Sequence, residues 1–165
     1  MDHLYTPWRM AYIRGEKKPV EGCIFCQLAL AEPPSWQVIA HSAHVYVILN
    51  LYPYNNGHLM VIPHEHVDSP EKLSAEVLTD QAIMVNRAMA ALRRLYRPAA
   101  FNLGANVGAA AGAGLAEHYH FHIVPRWPGD ANFMTVVGET RVIPDTLENT
   151  AAELRAIWGT LTSDE

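Results

Sequence analysis

Three histidines, His118, His120 and His122, alternate with Tyr119, Phe121 and Ile123 just before Val124-Pro125. In a β-strand, alternate side chains share a face, so the imidazoles would point one way and Tyr119, Phe121 and Ile123 into a core. At roughly 3.3 Å per residue the outer two lie about 13 Å apart, too far to share one metal ion comfortably. The row is therefore expected to divide its labour between chemistry and structure. A neutral imidazole with one nitrogen pinned as a donor presents a lone pair at the other, which makes it a nucleophile near neutral pH. His120, in the middle, has two neighbours that can orient it or bind the anion it attacks. That arrangement suits phosphoryl or nucleotidyl transfer through a covalent histidine intermediate.

Two further groups carry chemistry. Asn106-Val107-Gly108-Ala109-Ala110-Ala111-Gly112-Ala113-Gly114 lies just upstream, and its glycines let backbone amides approach an anion closely. Cys23 and Cys26 are the only cysteines and form a Cys-x-x-Cys pair. A secreted disulfide scaffold would have more of them at wider spacing, so a metal or redox role in a reducing compartment is the better reading. Two thiolates supply half of a tetrahedral site, against the alternative of reduced, buried thiols.

The elements that must position these groups can be read from periodicity. Cys23 to Ala31 reads as a short helix ended by Pro33-Pro34. Trp36–His41, Val45–Asn50 and His58–Pro63 read as strands of an antiparallel meander, with loop chemistry in Tyr52-Pro53-Tyr54-Asn55-Asn56-Gly57. Ser69-Pro70 looks like the start of a long amphipathic helix running through Leu73, Val77, Met84, Ala88, Ala91 and Leu95 to near Pro98. A strand over Phe101–Val107, a Gly/Ala loop over Gly108–Leu115, the histidine strand, and a C-terminal helix from near Asp145 complete the chain. Strands and helices do not alternate in βαβ fashion, so the expected class is α+β, with a mainly antiparallel sheet of about five strands.

At 165 residues, with 50% hydrophobic and 18% charged, the chain fits a single globular domain without an internal linker. Within it, residues 1–22 read as an N-terminal arm and 145–165 as the C-terminal helix. The net charge of -5 provides no basic field for nucleic acid, so an anionic substrate must be held by local groups. With no leader pattern and no apolar run of about eighteen residues, the protein is expected to be soluble and cytoplasmic, without membrane contact. The opening Leu4-Tyr5-Thr6-Pro7-Trp8-Arg9-Met10-Ala11-Tyr12-Ile13 is aromatic enough to need cover from its own domain or a partner subunit.

The His-x-His-x-His row followed by apolar residues resembles the histidine-triad (HIT) superfamily of nucleotidyl hydrolases and transferases. The likeness extends in the family's order through Cys23-Ile-Phe-Cys26, Asn50-Leu-Tyr-Pro-Tyr-Asn-Asn-Gly-His-Leu-Met-Val-Ile-Pro63, His66, the glycine loop and Pro125-Arg126-Trp127-Pro128-Gly129-Asp130-Ala131-Asn132-Phe133-Met134. That last segment and Pro7-Trp8-Arg9-Met10-Ala11-Tyr12-Ile13 are similar to the branch of diadenosine tetraphosphate phosphorylases and ATP adenylyltransferases. The resemblance implies cleavage of the α–β phosphoanhydride of a dinucleoside polyphosphate, with phosphate or water as acceptor. His120 would be the nucleophile and His122 the phosphate partner. Asn50 would meet the ribose and Asn106 the phosphates, with His58 near the site. Backbone amides near Gly112 and Gly114 would hold the leaving group, because Gly114-Leu115-Ala116-Glu117 lacks the serine many relatives carry before the triad. The resemblance also implies a structural zinc at Cys23, Cys26, His66 and His118, no organic cofactor, and a two-fold homodimer or a tetramer. A nucleotide phosphoramidase and a non-catalytic nucleotide-binding regulatory module are the alternatives. An intact nucleophile favours catalysis, and the missing serine counts against the phosphoramidase.

Other residues have plainer readings. His3, His41 and His44 are expected to face solvent, and His64 stands between surface and site rim. Trp127 is either a base-stacking or a packing residue, and Arg126 either a phosphate partner or a structural anchor. Asp130 and Asn132 are expected to build a turn.

Overall fold

Side-chain alternation gives this sheet two different faces, and the site occupies one of them. The computed structural model describes residues 22–130 and 143–162. His3, the aromatic N-terminal stretch, and Asn132 with the end of its motif lie outside these residues. The elements are α1 (Ile24–Leu30), β1 (Val38–His41), β2 (Val45–Leu49), β3 (Leu59–Pro63), α2 (Ala75–Tyr96), β4 (Ala100–Gly104), β5 (Phe121–Arg126) and α3 (Leu147–Trp158). The five strands form one antiparallel sheet in the order β1-β2-β3-β5-β4, the expected α+β architecture.

On one face Val45, Val47, Leu49, Leu59, Val61 and Ile123 meet Val77, Met84, Ala88 and Leu92 of α2 and Ala151 and Leu154 of α3. On the other, Val38, Tyr46, Ile48, Met60 and Ile62 surround Phe25 of α1. Strands β2 and β3 are buried throughout, because helices cover both faces of the sheet centre. Each fully buried Val, Leu or Ile contributes on the order of 1.5–3 kcal/mol, so this double cover holds the site's floor rigid. In register, Ile48 lies opposite Met60 and Met60 opposite His122, which puts His122 on the α1 face, while Leu59 pairs with Ile123 towards α2. The alternation expected of the histidine row is observed: Tyr119 and Ile123 enter the larger core and Phe121 packs against it.

Several boundaries differ from the sequence reading. The histidine strand begins at Phe121, so His118 and His120 precede it. Its ladder with β3 starts at Val61–Phe121, because further back the Tyr119 N–H turns to the Val67 carbonyl and the His118 ring takes the Pro63 carbonyl. Ser69-Pro70 opens a short 3₁₀ turn (Pro70–Lys72) that ends where Leu73 becomes extended and buried. The long helix starts instead at Ala75, where the Ser74 hydroxyl accepts the Val77 N–H. Strand β4 ends at Gly104 rather than Val107, and the Gly/Ala loop holds a 3₁₀ turn over Ala109–Ala111. Strand β1 starts at Val38, two residues after Trp36.

Gly57 closes the loop between β2 and β3 with φ +71°, a left-handed conformation. A Cβ there would lie 2.8 Å from Leu92 Cδ2 and 3.3 Å from the Tyr96 ring, so only glycine lets the loop rest directly on α2.

Candidate active site and metal centre

His118, His120 and His122 are all buried, and each ring is fixed by a different partner at one nitrogen. Those partners decide what the other nitrogen presents.

His118 Nε2–H donates to the Pro63 carbonyl at the end of β3 (3.0 Å). Its Nδ1 lone pair then faces the thiols, 3.2 Å from Cys23 Sγ and 3.6 Å from Cys26 Sγ. His66 Nδ1 lies 3.3 Å from Cys26 Sγ, and the four ligand atoms are all within 4.8 Å of one another. Two sulfurs and two imidazole nitrogens on one centre can hold a four-coordinate metal ion, with the Pro63 carbonyl orienting one ligand from behind. The local fold explains the gathering. The Cys-x-x-Cys pair opens α1 with Cys23 at its N-cap, and His66 follows the end of β3.

His120 Nδ1–H donates to the carbonyl oxygen of His118 (2.8 Å), which leaves Nε2 with its lone pair. Burial pushes its pKa down and favours the neutral ring, against the smaller opposing effect of that backbone hydrogen bond, which in the neutral ring fixes the proton on Nδ1. Phe25, one of the two residues between the cysteines, packs its ring against both His118 and His120, with centroids 5.6 Å and 5.2 Å away.

His122 Nδ1 stands 2.9 Å from His58 Nε2. His58 Nδ1 accepts the Tyr54 backbone N–H at 3.0 Å, and a backbone amide cannot reverse its role. The His58 proton is therefore on Nε2, donated to His122 Nδ1, and His122 carries its own proton on Nε2. That Nε2 is buried and has no hydrogen-bond partner among the described residues. Burial, and then the neighbouring His120, lower the pKa of His122 to about 4. The His120 and His122 rings meet edge to face with centroids 4.9 Å apart. One lone pair and one N–H without a partner among the described residues thus belong to adjacent rings.

The remaining expected site residues differ in how they are engaged. Asn50 is buried at the end of β2, where its Oδ1 accepts the Tyr52 N–H and its Nδ2 lies 3.4 Å from His58 Nδ1. Asn106 is half-buried in the segment after β4. The Gly112 N–H already donates to the Ala109 carbonyl within the 3₁₀ turn, while exposed Gly114 follows it. Arg126 takes the anchor role: its guanidinium holds Asp130 through Nε (2.7 Å) and Nη2 (2.8 Å) and Asn102 through Nη1 (2.7 Å). Trp127 packs, donating Nε1–H to the Tyr96 carbonyl (3.2 Å). His41 is exposed but stacks on Tyr46 and on half-buried His64, whereas His44 is half-buried with its backbone N–H on Asp80.

Phe25, the Tyr54 amide, Asn55 and the Pro63 carbonyl are participants that residue types did not flag. Phe25 falls within the expected short helix and Asn55 within the expected loop, and neither residue type by itself marks a site. A backbone amide or carbonyl carries no residue-type signal at all.

The HIT domain family model matches residues 33–129. A protein named AP-4-A phosphorylase, from Mycobacterium tuberculosis, is 37% identical over 96% of this chain and 85% of its own length. A Zn-bound histidine triad family protein from Mycobacterium smegmatis superposes with a TM-score of 0.70 at 29% identity, covering 87% of this chain and 98% of that one. Plasmodium falciparum diadenosine triphosphate hydrolase, at 19% identity and TM-score 0.59 over 76% of each chain, shares the fold. On the matched span and the extent of these likenesses, the chain belongs to the HIT domain family.

Proposed function

We propose that the protein is an enzyme that cleaves the α–β phosphoanhydride of a dinucleoside polyphosphate through a nucleotidyl group carried on His120. The carrying observation is the paired presentation at the end of the row: a lone pair at His120 Nε2 beside an N–H at His122 Nε2 that has no partner among the described residues. In the first step Nε2 forms a bond to the α-phosphorus, and the bond from that phosphorus to the bridging oxygen breaks. The leaving nucleoside polyphosphate keeps the electron pair. His122 Nε2–H meets the phosphoryl oxygen on which charge accumulates. In the second step inorganic phosphate or water attacks the same phosphorus and His120 recovers its lone pair. The name of the 37%-identical relative favours diadenosine tetraphosphate as substrate and phosphate as acceptor. Incubation with diadenosine tetraphosphate, with and without phosphate, tests this: ADP plus ATP formed only with phosphate is the expected result, AMP plus ATP without it identifies a hydrolase, and no product rejects the reading.

We further infer that zinc occupies the Cys23, Cys26, His66 and His118 group. A zinc tetrahedron with bonds of about 2.3 Å to sulfur and about 2.0 Å to nitrogen has S···N edges of about 3.5 Å. The observed separations of 3.2, 3.3 and 3.6 Å are close to that. When bound, the ion would pin α1 to the segment leading into β5. Metal analysis of protein prepared without added zinc tests this, with less than a tenth of an equivalent in folded protein counting against it.

The two sheet edges support a homodimer joined along β4. At β1, Arg155 of α3 donates to the carbonyls of Trp36 and Val38 and covers the edge. At β4, Asn102 and Leu103 are exposed, and Leu103 retains 46% of its accessible surface. Sedimentation of the protein and of Leu103→Arg tests this: a dimer converted to monomer is expected, and an unchanged species would reject the β4 contact.

A further inference from the structure

We propose that Asn55 is a positioning residue for His122, selecting which of its ring nitrogens carries the proton from outside the histidine row. The proposal rests on reading His122 Nε2–H as the donor to the transferred phosphate. If that nitrogen presented a lone pair instead, it would repel a phosphoryl oxygen.

The choice is made two hydrogen bonds away. His122 Nδ1 and His58 Nε2 share one contact of 2.9 Å, so one proton lies between them and either ring can be its donor. The Tyr54 N–H on His58 Nδ1 fixes the direction. Asn50 cannot do so, because its Nδ2 lies 3.4 Å from one His58 nitrogen and 3.5 Å from the other. The position of the Tyr54 amide is therefore decisive, and it sits in a loop outside the sheet ladders.

Asn55, the next residue, fastens that loop to the strand carrying His122. Its buried side chain donates both amide hydrogens, to the Pro125 carbonyl on β5 (3.1 Å) and to Asp130 Oδ2 (2.8 Å), and its Oδ1 accepts the Asn56 N–H (3.1 Å). The His58 N–H in turn donates to the Asn55 carbonyl (3.2 Å). Asp130 is held by Arg126 and by the Trp127 N–H (3.1 Å). Arg126, Asp130 and Asn55 thus form one chain of contacts that locks the Tyr54 amide to β5, and with it the tautomer of His122.

The test is ¹⁵N NMR of ring-labelled histidine in the full chain without substrate, combined with steady-state kinetics on diadenosine tetraphosphate. The unaltered protein should show His122 protonated at Nε2. In Asn55→Ala a population protonated at Nδ1 should appear, with kcat reduced roughly 10- to 100-fold and KM changed much less, as expected when a reacting group loses its orientation. Asp130→Ala, which leaves the Pro125 contact, should show the same change to a smaller degree and serves if Asn55→Ala does not fold. A folded variant with His122 still protonated only at Nε2 would overturn the proposal even if activity fell. A tautomer change in a protein that never turns over the dinucleotide would instead overturn the functional reading and leave this one standing.

Discussion

His118 and His122 stand on the same sheet face, four residues apart, with the same side chain and comparable burial, yet they present opposite chemistry. The Pro63 carbonyl takes the His118 Nε2 proton and turns a lone pair towards two thiols. His58 Nε2–H donates to His122 Nδ1 and leaves the proton of His122 on its other, buried nitrogen, Nε2. Between them, His120 uses the opposite ring nitrogen from His118 as donor, Nδ1 rather than Nε2, and so presents a lone pair at Nε2. What separates the cysteine-facing end of the row, the proposed metal end, from the proposed reacting end is therefore the partner behind each ring. The two ends are joined through His118, whose ring faces the thiols while its carbonyl orients the His120 ring, and through Phe25, whose ring meets both imidazoles.

This division predicts an asymmetry. His120→Ala should lower turnover of diadenosine tetraphosphate by at least about 10³-fold, since a covalent route then lacks its nucleophile. Metal content by elemental analysis should not change. His122→Phe, which removes the Nε2–H together with the Nδ1 that accepts from His58, should cost on the order of 10²-fold in kcat. In the other direction, Cys26→Ser should weaken metal binding more than about 10-fold and lower the melting temperature, because metal binding and folding energy are linked. It should also reduce turnover, since His118 and Phe25 lose their anchor beside His120. Full turnover in metal-free protein would show the two ends to be independent.

Acid should reveal the reacting end separately. The folded-state pKa of His122 is lowered to about 4 by burial, and then by His120, against about 6.5 in the unfolded chain. Between those values the unfolded state binds more protons, so this contribution is fully present above about pH 6.5 and lost as pH falls towards 4. The loss amounts to about 3 kcal/mol. It is read as the difference in denaturant stability between the protein and His122→Phe across that range, which cancels the acid lability of the metal group. A constant difference would contradict the buried neutral ring. The smallest effect is expected at Gly57→Ala, at about 1–3 kcal/mol from the clash with Leu92 and Tyr96 and the left-handed backbone, measured by denaturant unfolding.

Much of this organisation was legible in the sequence because it follows from period and type. The two-residue repeat of His118, His120 and His122 announced a shared face, and the apolar runs of β2 and β3 announced strands. The three-to-four-residue spacing from Val77 to Leu95 announced α2. The helix start differs from the Ser69-Pro70 expected because Ser69 and Ser74, five residues apart, both look like caps, and only burial of Leu73 selects Ser74. Arg126 could not be assigned because an arginine reads alike whether it meets phosphate or Asp130.

By itself, the sequence determined which side chains were available, that three imidazoles would share a face, and that two thiols would sit one helical turn apart. Only the tertiary structure decided what each imidazole offers. That choice depends on backbone groups at Pro63, His118 and Tyr54 reaching a particular ring nitrogen, and every residue type except proline carries the same N–H and C=O. Chain order does not encode which of those groups lies behind a ring; strand register and a loop fastened by Asn55 do.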